Sequence, residues 1–239
     1  MDVLSMFTSS KATTRLAVVM VLLTGLSWWA RNHVAALPRP SFTGLEAVED
    51  AADASGTRVR VLSRGPSSGG ARSEVELLIR PTAKGFYPGF AGSWLLHSHD
   101  QEEALAVAEG VLGVSIAGAL RNVTAGEVVV VPQGAPHSIW CAGDAPVLVR
   151  QTFTPAGRAD VAAENLAGLA RTYGDVTKIH PLQLVALLDG AGIRLEGMPG
   201  FMSWALHNVL APFARYVGFA SEYPAYASAG APAGSVDEE

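Results

Sequence analysis

His97 and His99 flank a single serine in the stretch from Gly92 to Gly110, GSWLLHSHDQEEALAVAEG, and Glu103 follows His99 after three residues. Side chains of an extended chain alternate between faces, so the two imidazoles point the same way. Glu103 opens a second alternating run, with Leu105 and Val107 on its side and Ala104, Ala106 and Ala108 on the other. Two imidazoles and a carboxylate turned into one interior are costly to bury without a partner. A divalent metal ion would satisfy all of them.

The segment downstream carries a second signal. Gly126 is followed by five residues, then Pro132-Gln133-Gly134, then Ala135-Pro136-His137. These two segments resemble the two motifs of the cupin superfamily. The first motif matches at His97, His99, Glu103 and Gly110, with Gly92 one residue closer to His97 than is usual. The second matches at Gly126, Pro132, Gly134 and His137, and Cys141 stands where the family has an asparagine that is not a ligand. The resemblance implies a mononuclear metal site held by His97, His99, Glu103 and His137, and a jelly-roll barrel around it. Such ligands suit iron, manganese, nickel, copper or zinc without choosing among them. Three imidazoles and one carboxylate leave two positions of an octahedral ion for water, dioxygen or a small-molecule ligand.

The strands that must hold these groups are legible as short alternating runs. Thr57 to Leu62, Ser73 to Arg80, the two halves of the first motif, Val111 to Ile116, Gly126 to Val131, His137 to Cys141 and Pro146 to Pro155 all read as strands between turn signals. The series predicts a mainly β fold, a double-stranded β-helix or jelly-roll cupin barrel over residues 56–157. Fifteen residues between Gly110 and Gly126 fit a short inter-motif connection. Gln151 and Phe153 share a face of the last strand and are candidates to line the cavity, with Tyr87, Phe90 and Trp94 at its entrance. Cys141 shares the parity of His137 and reads as a small buried hydrophobe, with a place beside the metal as the alternative. Trp140 has the opposite parity. Glu102 and Glu109 read as a solvated charge and a turn residue. His33, His180 and His207 lie outside both motifs and read as surface or capping residues.

After Pro155 the period changes to that of helices. Ala159 to Tyr173 is predicted as one helix stopped by Gly174, a second opens at His180-Pro181, and a third spans Phe201 to Val217 with Pro212 kinking or splitting it. Residues 158–226 thus form a C-terminal helical extension, expected on the outer barrel face or against a partner, and residues 227–239 read as a disordered tail. A linker with a short helix, Gly44 to Ala54, precedes the strands.

The chain has 239 residues, of which 49% are hydrophobic and only 16% charged, and its net charge of −5 offers no basic footprint for nucleic acid. A single cysteine excludes an internal disulfide. Residues 1–40 read as a targeting or membrane-anchor segment, with the apolar run Leu16 to Ala30 between Arg15 and Arg31. A cleaved signal ending near Val34-Ala35-Ala36, an organelle transit peptide and a retained transmembrane helix over residues 12–30 all fit, the anchor being preferred. The expected localisation is membrane-anchored or exported.

Two functions follow from these readings. The first is a metal-dependent oxidoreductase, dioxygenase-like, acting on a small enolic or aromatic compound, with metal-dependent isomerases and decarboxylases as neighbouring chemistries. The second is a non-catalytic cupin binding module or accessory subunit, held at a membrane or in a complex by its terminal apolar helices. The expected partners are a small-molecule ligand or substrate, a membrane contact through residues 12–30, and a second copy of the chain in a homodimer or a membrane complex.

Overall fold

The computed structural model describes residues 10–34, 40, 51–52, 58–81, 95–174 and 178–226. Helix α1 (Ser10–Val34) comes first, followed by the short strand β1 (Ala51–Ala52) and by β2 (Arg58–Ser63) and β3 (Ser73–Ile79). Then come β4 (His97–Ser98), β5 (Glu102–Glu109), β6 (Val111–Ile116), β7 (Ala119–Thr124), β8 (Val128–Val131), β9 (His137–Cys141) and β10 (Val147–Thr154). The C-terminal part holds α2 (Ala159–Tyr173), α3 (Pro181–Gly190), β11 (Arg194–Leu195), α4 (Gly200–Ala205), a π-helical turn (Leu206–Leu210) and α5 (Ala211–Tyr216).

The strands form two antiparallel sheets, ordered β1-β2-β3-β10-β5-β8 and β11-β4-β9-β6-β7. Alternation decides which residues face inward: Glu103, Leu105 and Val107 are buried on β5 while Glu102, Ala108 and Glu109 are exposed. On β8, Val129 and Val131 are buried and Val128 and Val130 exposed. The inward residues of both sheets merge into one apolar core, joined by Leu169, Leu184 and Leu187 of α2 and α3. The architecture is a mixed one: two antiparallel sheets with the strand topology of cupins, as expected, joined by a helical C-terminal extension.

Besides β1, two strands escaped the sequence. The predicted inter-motif connection contains a hairpin, in which β6 pairs with β7 through Ala117-Gly118, both at positive φ. Strand β7 buries only Val123, so no alternating pattern betrays it. The other is β11, which arises within the helical extension and pairs with β4, Leu195 opposite His97. Ala51–Ala52, inside the expected linker helix, pairs instead with β2; the rest of that helix, the entrance residues Tyr87, Phe90 and Trp94, and the tail 227–239 lie outside the described residues.

The C-terminal helices turn inward. Helix α3 is buried over Gln183 to Leu188, as its all-round apolar sequence requires, and the His180 side chain caps it by accepting from the Leu182 amide at 3.2 Å. Ala186 packs with Ala214, Val217 and Phe219 in a second small core. Pro212 cannot donate to the turn before it, and the predicted third helix passes through the π-helical turn directly upstream.

The N-terminal expectation requires correction. Among the described residues no helix is long and apolar enough to cross a membrane. The transmembrane helix, the membrane-anchored or exported localisation and the membrane contact through residues 12–30 are overturned on that ground. Nothing among the described residues supports the expected homodimer or membrane-complex subunit either.

Candidate metal centre

The two sequence motifs meet because β4 and β9 are neighbours. His97 and His137 are direct cross-strand partners, and Ile116 of β6 lies on the other side of His137. His99 follows β4 by one residue, and Glu103 projects from β5 on the facing sheet, flanked by Phe153 of β10 and Val131 of β8. All four predicted residues are thereby brought together. His99, Glu103 and His137 are buried and His97 half-buried.

Each imidazole is held by its Nδ1 on a main-chain carbonyl. His97 Nδ1 lies 2.7 Å from Leu95 O, His99 Nδ1 3.1 Å from Gln101 O, and His137 Nδ1 2.9 Å from Ala135 O. A carbonyl only accepts, so each Nδ1 carries the hydrogen and each neutral ring presents Nε2 as a bare lone pair. The three histidines offer ligand atoms that all lie within 4.8 Å of one another, a cluster able to hold a metal ion. Glu103 stands beside them: its Oε1 accepts from Gln151 Nε2 at 2.8 Å, and its Oε2 faces His137 Nε2 at 3.0 Å and His99 Nε2 at 3.4 Å.

That last arrangement tests the fit of a cation. His137 Nε2 is buried without a hydrogen bond although a carboxylate oxygen is 3.0 Å away. Two lone pairs confronting each other at that distance repel unless a proton or a metal ion lies among them. The donor set is one positive charge short, and imidazole nitrogens with a carboxylate oxygen are the donors a borderline divalent ion prefers. The residues fit.

The electrostatics show the same deficit. Burial and the neighbouring His137 hold the His97 pKa down at about 4. Burial raises the Glu103 carboxyl, but the His137 and His99 rings beside it more than reverse this and bring it to about 2. Burial lowers His137, and the Glu103 carboxylate overcomes it, leaving that pKa raised. An anion is thus fixed between His97, which resists charging, and His137, which is drawn towards a proton.

A cavity of about 130 Å³ opens on the cluster. His97, His99, Glu103, His137 and the amides of Gln101 and Gln151 form its polar end. Phe153 and Gln151 line it as anticipated, whereas Cys141 is directed away, its thiol donating to Ala145 O at 3.1 Å. Trp140 lies flat over Gly113, leaving no room there for a side chain. His33 bonds the Trp29 carbonyl of its own helix and His207 pairs with Asp189, and neither is among the described residues that line the cavity. What the sequence did not disclose is the opposite wall, which comes from α2, α3 and the segment leading to β11. The three carbonyls that hold the imidazoles also left no mark in the sequence, since any residue supplies one.

Comparison with known proteins adds the following. Residues 86–152 match the profile of the Cupin domain family. Among solved structures, a cupin-like protein from Thermotoga maritima is similar at 20% identity, over 42% of this chain and 69% of its own, with a TM-score of 0.36. An RmlC-like cupin from Shewanella frigidimarina is similar at 23% identity, over 44% and 81%, with a TM-score of 0.34. The polyketide cyclase RemF from Streptomyces resistomycificus is similar at 21% identity, over 49% and 79%, with a TM-score of 0.35. No curated protein matches the chain.

Proposed function

The chain carries a cupin domain, and we propose that it is a mononuclear metal-dependent enzyme, an oxidoreductase of dioxygenase type acting on a small enolic or aromatic compound. The observation that carries this reading is the set of three imidazoles, each tied at Nδ1 to a carbonyl, whose Nε2 atoms converge beside Glu103. His97, His99, His137 and Glu103 would hold the ion. We read the two facing sheets as the family's jelly-roll barrel, with residues 158–226 as a helical cover.

A divalent ion bound there would supply Lewis acidity to an enolisable ligand and, if it is iron, access to oxygen chemistry. The chain's own residues do the rest. The carbonyls of Leu95, Gln101 and Ala135 fix the ring tautomers and orientation, as outer partners of metal-binding histidines do. Gln151 clamps one oxygen of Glu103 and leaves the other for the centre. The apolar walls keep water from the bound ligand and strengthen each electrostatic contact within.

Elemental analysis of natively purified protein, with oxygen uptake measured on small enolic and aromatic compounds, tests the reading. One bound transition metal per chain, absent from the His97→Ala/His137→Ala variant, together with metal-dependent oxygen consumption, is the expected result. A metal-free protein that cannot be reconstituted would leave a non-catalytic binding cavity. Bound metal with no oxygen uptake on any compound would move the reading to isomerase or decarboxylase chemistry.

A further inference from the structure

We propose that α2 and α3 form the specificity wall of the metal cavity, and that the ligand they admit is a small apolar compound that binds as a monoanion. This inference rests on the metal site described above and adds the class of ligand.

Charge sets the first condition. The cavity's described lining contains no lysine, arginine or aspartate, and Glu103 is its one formal charge. Three neutral imidazoles and one carboxylate sum to −1, so with a divalent ion the centre carries +1. One anionic oxygen makes it neutral. A dianion such as a dicarboxylate or a phosphate ester would leave a net negative charge in an apolar enclosure, with no cation beside it, at a cost of several kcal/mol by order of magnitude.

Polarity sets the second. Away from the four proposed ligands, the polar side chains in the described lining are Gln101 and Gln151, and Gln151 already serves Glu103. A sugar would bury hydroxyls without partners, each costing about 1–3 kcal/mol. The remainder of the surface is aliphatic apart from Phe153.

Size sets the third. About 130 Å³ is close to the engineered cavity of about 150 Å³ that accepts benzene. On α2 the residues facing this space are Ala159, Ala162, Ala163 and Leu166, the spacing of one helical stripe. Three of the four are alanines, so the length of ligand that fits is set where α2 crosses the cavity. Leu187 and Leu188 of α3 complete the wall. Both helices come from outside the stretch that matches the cupin profile, so selection of the ligand is placed on a part of the chain separate from the metal-binding strands.

Cobalt(II)-loaded full-length protein, titrated with 2,4-pentanedione and in parallel with oxalate, provides the test. The two chelators are close in size. The first binds as an apolar monoanion, releasing its proton to solvent, and the second as a dianion. The expected result is a change in the cobalt absorption bands that saturates with pentanedione at a concentration at least about tenfold lower than with oxalate. Ala162→Leu should weaken pentanedione by about tenfold or more, and Ala163→Val by less, with cobalt stoichiometry unchanged in both. If Ala162→Leu does not fold, Ala163→Val carries the comparison. Oxalate binding as tightly as pentanedione, or wild-type pentanedione affinity in a cobalt-loaded wall variant, overturns the inference and leaves the metal site standing. Failure of the wild-type protein to bind cobalt overturns the metal reading itself, and this inference with it.

Discussion

His97 and His137 face each other directly across β4 and β9, their ring centroids 4.2 Å apart. Strand β4 is only two residues long, so the pairing of His97 on one side with His137 and on the other with Leu195 of β11 fixes its place. Ser98 adds a hydrogen bond to Glu196 at 2.6 Å. The C-terminal extension therefore holds the first histidine in register with the third.

From this follows a stability prediction. Two rings that converge on an anion without a cation are unfavourable, so a bound ion should stabilise the folded chain. Zinc or cobalt at about a hundredfold over its dissociation constant adds about 2.7 kcal/mol, read as a rise in Tm after chelator treatment and reconstitution. In His137→Ala the rise should vanish. An equal shift in wild type and variant would place the ion elsewhere.

Gln151 gives a sharper prediction, since its amide bonds Glu103 and the three imidazoles are tied to main-chain carbonyls instead. Its amide orients Glu103 through Oε1 while Oε2 faces the rings. Gln151→Leu keeps similar volume but releases the carboxylate, and metal affinity should fall by about 10–100-fold. Competition with a chromophoric chelator measures this. Unchanged affinity would mean that Glu103 is held without Gln151 or is not a ligand.

The chemistry of the centre was legible in the sequence because its donors are rare residue types at fixed strand spacing. Alternation alone put His97 and His99 on one face and Glu103, Leu105 and Val107 on another. The distant wall was not legible. Ala159, Ala162 and Ala163 are chemically mute, and nothing local distinguishes a helix that covers a cavity from one that packs on the outer face of a sheet. Strand β7 was invisible for a related reason: as an edge strand it exposes Ala119 to Asn122, and an exposed strand has no apolar period to read. The reverse error occurred at the N-terminus, where an apolar run suggested a membrane, yet among the described residues no helix is long and apolar enough to cross one.

Gly168 in α2 tests how that wall is held. Alanine in a helix interior is ordinarily more stable than glycine by about 1 kcal/mol. Here a Cβ would stand 2.3–2.8 Å from the ring of Tyr226. That ring is fully buried, and its hydroxyl lies 2.7 Å from Thr172 Oγ1 on the same helix, so it cannot swing aside freely. Overpacking costs about 1–3 kcal/mol and should win. Gly168→Ala is expected to lower the urea midpoint; a midpoint at or above wild type would show that Tyr226 yields.

Asp189 at the end of α3 makes the tie between that helix and the last one dependent on pH. Its Oδ1 meets His207 Nδ1 at 2.9 Å and its Oδ2 is paired with Arg215. Partial burial raises the Asp189 pKa, but the hydrogen bonds and charges of Arg215 and His207 outweigh it, and the carboxyl sits below its ordinary value. A depressed carboxyl favours the folded state wherever the unfolded chain would bind the proton first. The contribution is therefore complete above the ordinary carboxylate range, begins to fade as pH falls into it, and is gone below the depressed folded value. Asp189→Asn should cost about 1 kcal/mol at neutral pH, the scale of a partly exposed ion pair. Denaturation of both proteins from pH 7 down to pH 3 should show the gap narrowing as pH drops. A gap that stays constant would mean that Asp189 acts through hydrogen bonds an asparagine also makes, and a gap that widens would reverse the sign of the linkage.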